Sequence, residues 1–258
     1  HAARYFLLNN RGAIAPGYLA DFAIVEDLKN FHVVTVYKRG KLVYDQGRVE
    51  YFEKPVIPAH LDAQAHDTFH LPRLSAKDFD NNRRKVIIGM VDGQIITEDK
   101  GYADAVDAAN DILKMAVVER HHNTGHIGIG YLQGYGLKEG AVATSVSHDS
   151  HNIICVGCND EDMAFAVNRI AENKGGIVVV KDGAVVAELP LEIAGLMSSK
   201  PLVEVNDLLE NAKAAAHALG VGTGIDPFMT LSFMALPVIP TVRLTTRGVV
   251  DVNTQQYI

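Results

Sequence analysis

The 258-residue sequence has only two cysteines, Cys155 and Cys158, and so no material for a disulfide framework. That fits a reducing compartment, and a cytoplasmic protein is expected. Positive charge is also short: 24 Lys and Arg stand against 31 Asp and Glu, a formal charge of -7. Nucleic-acid affinity rests on cations neutralising phosphates, so no nucleic acid is expected as a partner. Long apolar runs are missing as well. Met229 to Val242, the longest near the C-terminus, is broken by Pro237 and Pro240 and falls short of the roughly 20 residues a spanning helix needs, so no membrane partner is expected. Nor do the first residues show the basic segment and apolar stretch of a secretory signal.

What is present is ordinary for a globular protein: 48% hydrophobic and 21% charged residues, with length for one large domain or two modest ones. The chain opens on His1 within the helical-looking Ala2-Ala3-Arg4-Tyr5-Phe6-Leu7-Leu8, and is expected to be a piece of something longer. Short strands follow at Ala20–Val25, Val33–Tyr37 and Leu42–Tyr44, the last two forming a hairpin across Arg39-Gly40. Alone, this block is too small for a stable core.

Residues 53–84 carry Pro55, Pro58 and Pro72 and read as a connector. His66 and His70 have the spacing of two metal ligands on one helical face, but the flanking prolines favour the connector. From Lys85 the pattern changes. Asp92-Gly93 sets a hairpin between Val86–Val91 and Gln94–Thr97, and Asp182-Gly183 sets another between Ile177–Val180 and Val185–Leu189. Three helices are expected. The first, Tyr102–His122, rests on a stripe of Ala105, Ala109, Ile112, Leu113, Ala116 and Val117. The second, Asp160–Asn173, starts on acidic residues and stops at Gly175-Gly176, and the third, Val203–Leu219, stops at Gly220. Strands interspersed with helices and hairpins predict an α+β fold with a mixed sheet.

The densest cluster of chemically capable side chains is Ser145-Val146-Ser147-His148-Asp149-Ser150-His151-Asn152, set between apolar strands at Gly140–Thr144 and Ile153–Gly157. Such groups beside buried strands must satisfy one another or face a cavity that a ligand can enter. On a strand, Asp149 and His151 share a face and His148 points away, which allows an Asp–His pair but not two histidines on one metal unless the backbone turns. His121, at the end of the 102–122 helix beside Arg120, either complements the helix dipole or lines the same pocket as His148 and His151. The glycine-rich Gly125–Gly136 has Gln133 where a dinucleotide fingerprint needs its third glycine, so close backbone packing is expected there. Cys155-Val156-Gly157-Cys158 has the spacing of a redox pair, but its apolar surroundings and the lack of a second pair favour two small buried hydrophobes.

Two sets of residues carry a family resemblance. Gly12-Ala13-Ile14-Ala15-Pro16-Gly17-Tyr18-Leu19-Ala20-Asp21, with Val36–Val43 after it, resembles the segment that follows the last TIM-barrel helix of metal-dependent amidohydrolases and completes their small β-sandwich. Ser147–Ile154, Pro227-Phe228-Met229-Thr230-Leu231-Ser232-Phe233 through Pro240, and Thr246–Val252, with Ala194–Ser198, resemble the C-terminal domain of bacterial adenine deaminases. The resemblance covers essentially the whole chain. It implies that residues 1–52 end the amidohydrolase region, with its last barrel helix and β-sandwich strands, that 53–84 link, and that 85–258 form the C-terminal α+β domain. It further implies hydrolytic deamination of adenine to hypoxanthine and ammonia in the full-length protein, with a divalent metal, manganese or iron, held by the barrel. A barrel needs about 250 residues, and no His-x-His, the usual first ligand pair, occurs in this chain. No metal is therefore expected here, and the chain alone is expected to be inactive. The implied partners are adenine, the absent barrel and further copies of the chain in a homo-oligomer. His148, Asp149 and His151, with Arg120 and His121, are the candidates for shaping the adenine pocket. The alternative is an assembly module whose apolar surfaces, such as Met229–Val238, support the barrel and mediate oligomerisation.

Overall fold

Turn chemistry shapes the first of two units into which the chain divides, His1–Ile57 and Pro58–Ile258. The computed structural model describes residues 2–49, 56–80 and 85–258. In the first unit a short helix α1 (Ala2–Tyr5) precedes an antiparallel meander of β1 (Phe22–Val25), β2 (Val33–Lys38), β3 (Lys41–Asp45) and β4 (Arg48–Val49). Arg39 and Gly40 both take positive φ, 49° and 75°, and close the β2–β3 hairpin, as their sequence signal requires. The Asp21 carboxylate accepts the Arg39 N–H at 2.6 Å and pairs with Arg11, pinning that turn. No described side chain of this unit is fully buried.

The second unit starts with α2 (Ala59–His66), part of the segment expected as a connector, of which residues 53–55 and 81–84 lie outside the described residues. The helix ends at His66, so His70 does not share a helical face with it; the His70 N–H instead donates to Arg120 O at 2.7 Å. Eight strands follow: β5 (Lys85–Met90), β6 (Thr97–Ala103), β7 (Ile112–Val118), β8 (Ile127–Gln133), β9 (Ala141–Thr144), β10 (Ile153–Gly157), β11 (Gly176–Lys181) and β12 (Ala184–Pro190). They form one mixed sheet in the order β12-β11-β9-β10-β7-β8-β5-β6, antiparallel except between β5 and β8.

Both faces of this sheet are covered, and side-chain alternation assigns each strand residue to a face. Leu113, Met115 and Val117 of β7, with Ile154, Val156, Ile177 and Val179, pack against α4 (Leu202–Ala218), α5 (Pro227–Met234) and β13–β14 (Val242–Thr245, Gly248–Asp251). Ala116, Val118, Ile153, Cys155, Val178 and Val180 pack on the other side against α3 (Asp160–Glu172). A short β15 (Gln256–Tyr257) completes a small sheet with β13 and β14.

The expected helix over Tyr102–His122 is corrected: the segment holds the end of β6, a 3-10 turn at Ala108–Asn110, and β7. Burial on both faces makes β7 a continuous apolar run, which a helical stripe fits by accident. Local chemistry upstream breaks any helix. Asp107 accepts the Asn110 N–H, and Asp111 sits in left-handed backbone while its carboxylate takes the Gly134 and Gly136 N–H groups at 2.8 and 2.7 Å. The first Asp-Gly hairpin is also longer than expected. Gln94 N–H closes the turn on Val91 O, but β6 begins only at Thr97, because the preceding residues lean toward β13 and Thr97 bonds Pro240 and Val242 carbonyls. The second, Asp182-Gly183, is the two-residue turn its sequence predicts.

Candidate functional site

β9 and β10 are adjacent antiparallel strands, and the polar octet joins them. The octet is anchored at its start by Ser145, whose buried hydroxyl donates to Gly195 O at 2.6 Å and accepts the Gly176 N–H at 2.8 Å. The chain then turns instead of continuing as a strand. His151 takes a left-handed φ of 49°, so its N–H returns to Ser147 O at 2.6 Å. Its Nδ1 accepts the Ser147 N–H at 3.3 Å, which leaves the ring proton on Nε2. The turn brings the two imidazoles together, with centroids 5.7 Å apart, where an extended strand would have separated them. Asp149 Oδ1 lies 3.7 Å from His148 Nδ1, and the two side chains are 83% and 34% exposed. A cavity of about 270 Å³ opens beside Asp149, lined by Asp149, Ser150 and Asn152 together with Leu236, Pro237 and Val238, and neither His148 nor His151 lines it.

Arg120 lies beneath the turn, only 2% exposed. Its Nε donates to His151 O at 2.6 Å, its two terminal nitrogens donate to Thr68 O at 2.7 Å and Ala194 O at 3.0 Å, and its guanidinium stacks 4.2 Å from the Phe69 ring centroid. Desolvation lowers its pKa to about 10, against the opposing pull of Glu119. His121 Nε2 is 2.7 Å from Ser150 O; a carbonyl only accepts, so this nitrogen carries the proton. Burial first, then the charges of His148 and Arg120, holds His151 below the usual imidazole range in spite of Asp149.

The octet also meets α5. His148 N–H donates to Ser232 O at 3.1 Å, the Ser232 hydroxyl reaches Val146 O, and the His148 ring lies 5.3 Å from that of Phe233. These are the two stretches on which the resemblance chiefly rests, 86 residues apart at the Val146–Ser232 contact and brought together in the fold. The family model for the adenine deaminase C-terminal domain matches residues 88–256. The chain belongs to that family. It is 42% identical over 98% of its length to "Adenine deaminase 2" of Carboxydothermus hydrogenoformans and 44% identical over 98% to "Adenine deaminase 1" of Rhizobium meliloti. It spans 46% and 45% of those two relatives, so less than half of each is represented.

Within this adenine deaminase C-terminal domain, the candidates divide by position. His148 and Asp149 reach the surface, His151 is half-buried behind them, and Arg120 and His121 hold the turn through backbone carbonyls. No 102–122 helix exists for His121 to cap. It follows β7 in a turn organised by Glu119, whose carboxylate accepts the N–H groups of His121, His122 and Thr124. Burial works to raise the Glu119 pKa, and those N–H groups more than offset it. Among the described residues no group of three or more His, Cys, Asp or Glu is placed to hold a metal ion. Cys155 is fully buried, and burial pushes the Cys158 thiol up to about 11, so neither offers a thiolate for redox exchange. Gly128 serves close packing: a Cβ there would fall 1.8 Å from Thr245 O. Ser232, Phe233 and Glu119 escape a reading by residue type, because an apolar helix and a supposed helix end concealed them.

Proposed function

We propose that this domain is the C-terminal portion of an adenine deaminase whose full-length form hydrolyses adenine to hypoxanthine and ammonia, and that it is inactive alone. The observation that carries this reading is identity of 42–44% over 98% of the chain to proteins named adenine deaminase. In the reaction water adds its oxygen at the ring carbon bearing the amine, the C–N bond breaks, one of the water's protons leaves with the amine as ammonia, and the other stays on a ring nitrogen of hypoxanthine. A divalent metal, manganese or iron, held outside this chain would supply the activated water. This chain's part is to shape the purine pocket through His148 and Asp149, with His151 behind them and Arg120 and His121 holding the turn. No helix among the described residues is long and apolar enough to cross a membrane, and a cytoplasmic enzyme of purine metabolism is the setting we favour.

The test is adenine turnover followed by ultraviolet absorbance. The isolated 28.0 kDa chain with added manganese is expected to give none. In the full-length protein His148→Ala is expected to lower kcat/KM at least about tenfold, the loss of one contact of about 1.4 kcal/mol. Turnover by the chain alone, or full activity in both His148→Ala and Asp149→Ala, would overturn the reading. The exposed apolar side chains Met229 and Val238 favour a second role as an assembly surface for the absent portion and for homo-oligomers. A monomer by size exclusion at high concentration would count against that role.

A further inference from the structure

α5 is eight residues long and nearly all apolar, with Phe228, Leu231 and Met234 in the core. Its one buried polar side chain is Ser232, 1% exposed. A hydroxyl in such a place costs free energy unless it is partnered. The Ser232 oxygen faces Phe228 O at 3.1 Å, the ordinary back-bond of a helical serine, and also Val146 O in the polar octet. The last four carbonyls of a helix have no intrahelical donor. Ser232 O is one of these, and it accepts the His148 N–H. One residue thus grips the octet at two points, on either side of Ser147.

The next residue, Phe233, places its ring 5.3 Å from His148 with 32° between the planes. Its carbonyl, also at the helix end, accepts from Arg243 at 3.1 Å. Arg243 is fully buried and donates further to Ile239 O at 2.8 Å, Pro240 O at 3.2 Å and Ile95 O at 2.5 Å, so the end of α5 is fixed to two neighbouring loops. We propose that Ser232 and Phe233 are positioning residues for His148: Ser232 fixes its backbone, Phe233 fixes the plane of its imidazole, and Arg243 holds the helix end on which both depend. The proposal rests on the reading that His148 shapes the purine pocket, and it gives Ser232 and Phe233 a role there that acts through His148.

Two measurements separate the proposal from that reading. In this chain, the His148 Cε1–H resonance is expected to carry a ring-current shift that Phe233→Leu removes and Phe233→Tyr retains. Ser232→Ala, which deletes a single oxygen, is expected to speed amide exchange across residues 146–151 on the order of tenfold. In the full-length protein Phe233→Leu and Ser232→Ala are expected to move the same kinetic parameter for adenine as His148→Ala, with the His148→Ala, Phe233→Leu double variant no worse than His148→Ala. An unmoved His148 resonance together with unchanged exchange overturns the proposal, as does full additivity in the double variant. If the resonance and exchange respond while His148→Ala leaves turnover intact, His148 is positioned as described and the pocket reading falls instead.

Discussion

A guanidinium can be buried without a carboxylate when enough carbonyl oxygens converge on it, and this domain does so twice, at Arg120 and Arg243. Desolvation lowers both to about pKa 10, still charged at neutral pH. Arg120 ties together three segments distant in sequence, at Thr68, His151 and Ala194. Arg120→Met leaves three carbonyls without their donor and is expected to destabilise by about 3 kcal/mol. In thermal denaturation that is a fall in Tm of about 6–12 °C. Arg120→Lys recovers only part, because a single ammonium cannot reach three carbonyls at once. An unchanged Tm in Arg120→Met would mean that the staple carries no load. His151 gives a pH dependence. Its folded pKa is depressed, so its contribution is present above the unfolded value of about 6.5 and is lost as pH falls from there through the lower folded value. Asn at 151 tolerates the left-handed backbone and puts an oxygen near the place of Nδ1, but does not titrate. The Tm advantage of wild type over His151→Asn is therefore expected to shrink as pH drops from 7 to 5, because only wild type loses the contribution of the neutral imidazole. Parallel pH profiles would show that the Ser147–His151 bond does not sense protonation.

Elements whose start, stop and turn chemistry agreed with their burial were legible before any coordinates. α3 begins where Asn159 caps it, by accepting the Asp162 N–H, and ends before Gly175-Gly176, while Asp182-Gly183 closes its hairpin in two residues. β7 was not legible as a strand. Buried on both faces, it shows no alternation, and Ala-rich spacing upstream completes a false helical stripe. The octet stood out as a candidate by its polarity, but its shape was not legible, since Arg120 holds the left-handed turn at His151 while gathering carbonyls from two other segments, at Thr68 and Ala194. Close packing between elements is likewise invisible to residue type alone, and Gly128 on β8 is the sharpest case. With Thr245 O 1.8 Å from where a Cβ would stand, Gly128→Ala must push β13 away from the sheet. The expected cost is roughly 1–3 kcal/mol, read as a lower denaturant midpoint at unchanged slope. A changed slope would mean that the β13–β14 hairpin detaches on its own before the rest unfolds.

The two units differ in what holds them together. The second buries apolar side chains on both faces of an eight-stranded sheet, whereas no described side chain of the first is fully buried. A single meander cannot offset the entropy of ordering its chain without a second layer on one face. The relatives are more than twice as long as this chain, and a β-sandwich of the kind the Gly12–Asp21 segment resembles would find its other strands in the portion not represented here. In this chain the amides of β2 and β3 are therefore expected to exchange orders of magnitude faster than those of β7 and β10, whose opening requires global unfolding. Low doses of trypsin are expected to cut at Arg39, Lys41 and Arg48 and to leave a resistant fragment that retains all of β5 to β14. In the full-length protein the same β2 and β3 amides are expected to become protected, which would place their second layer in the other part of the molecule. Equal protection of β2 and β7 in the isolated chain would mean that the first unit holds itself together and needs no such layer.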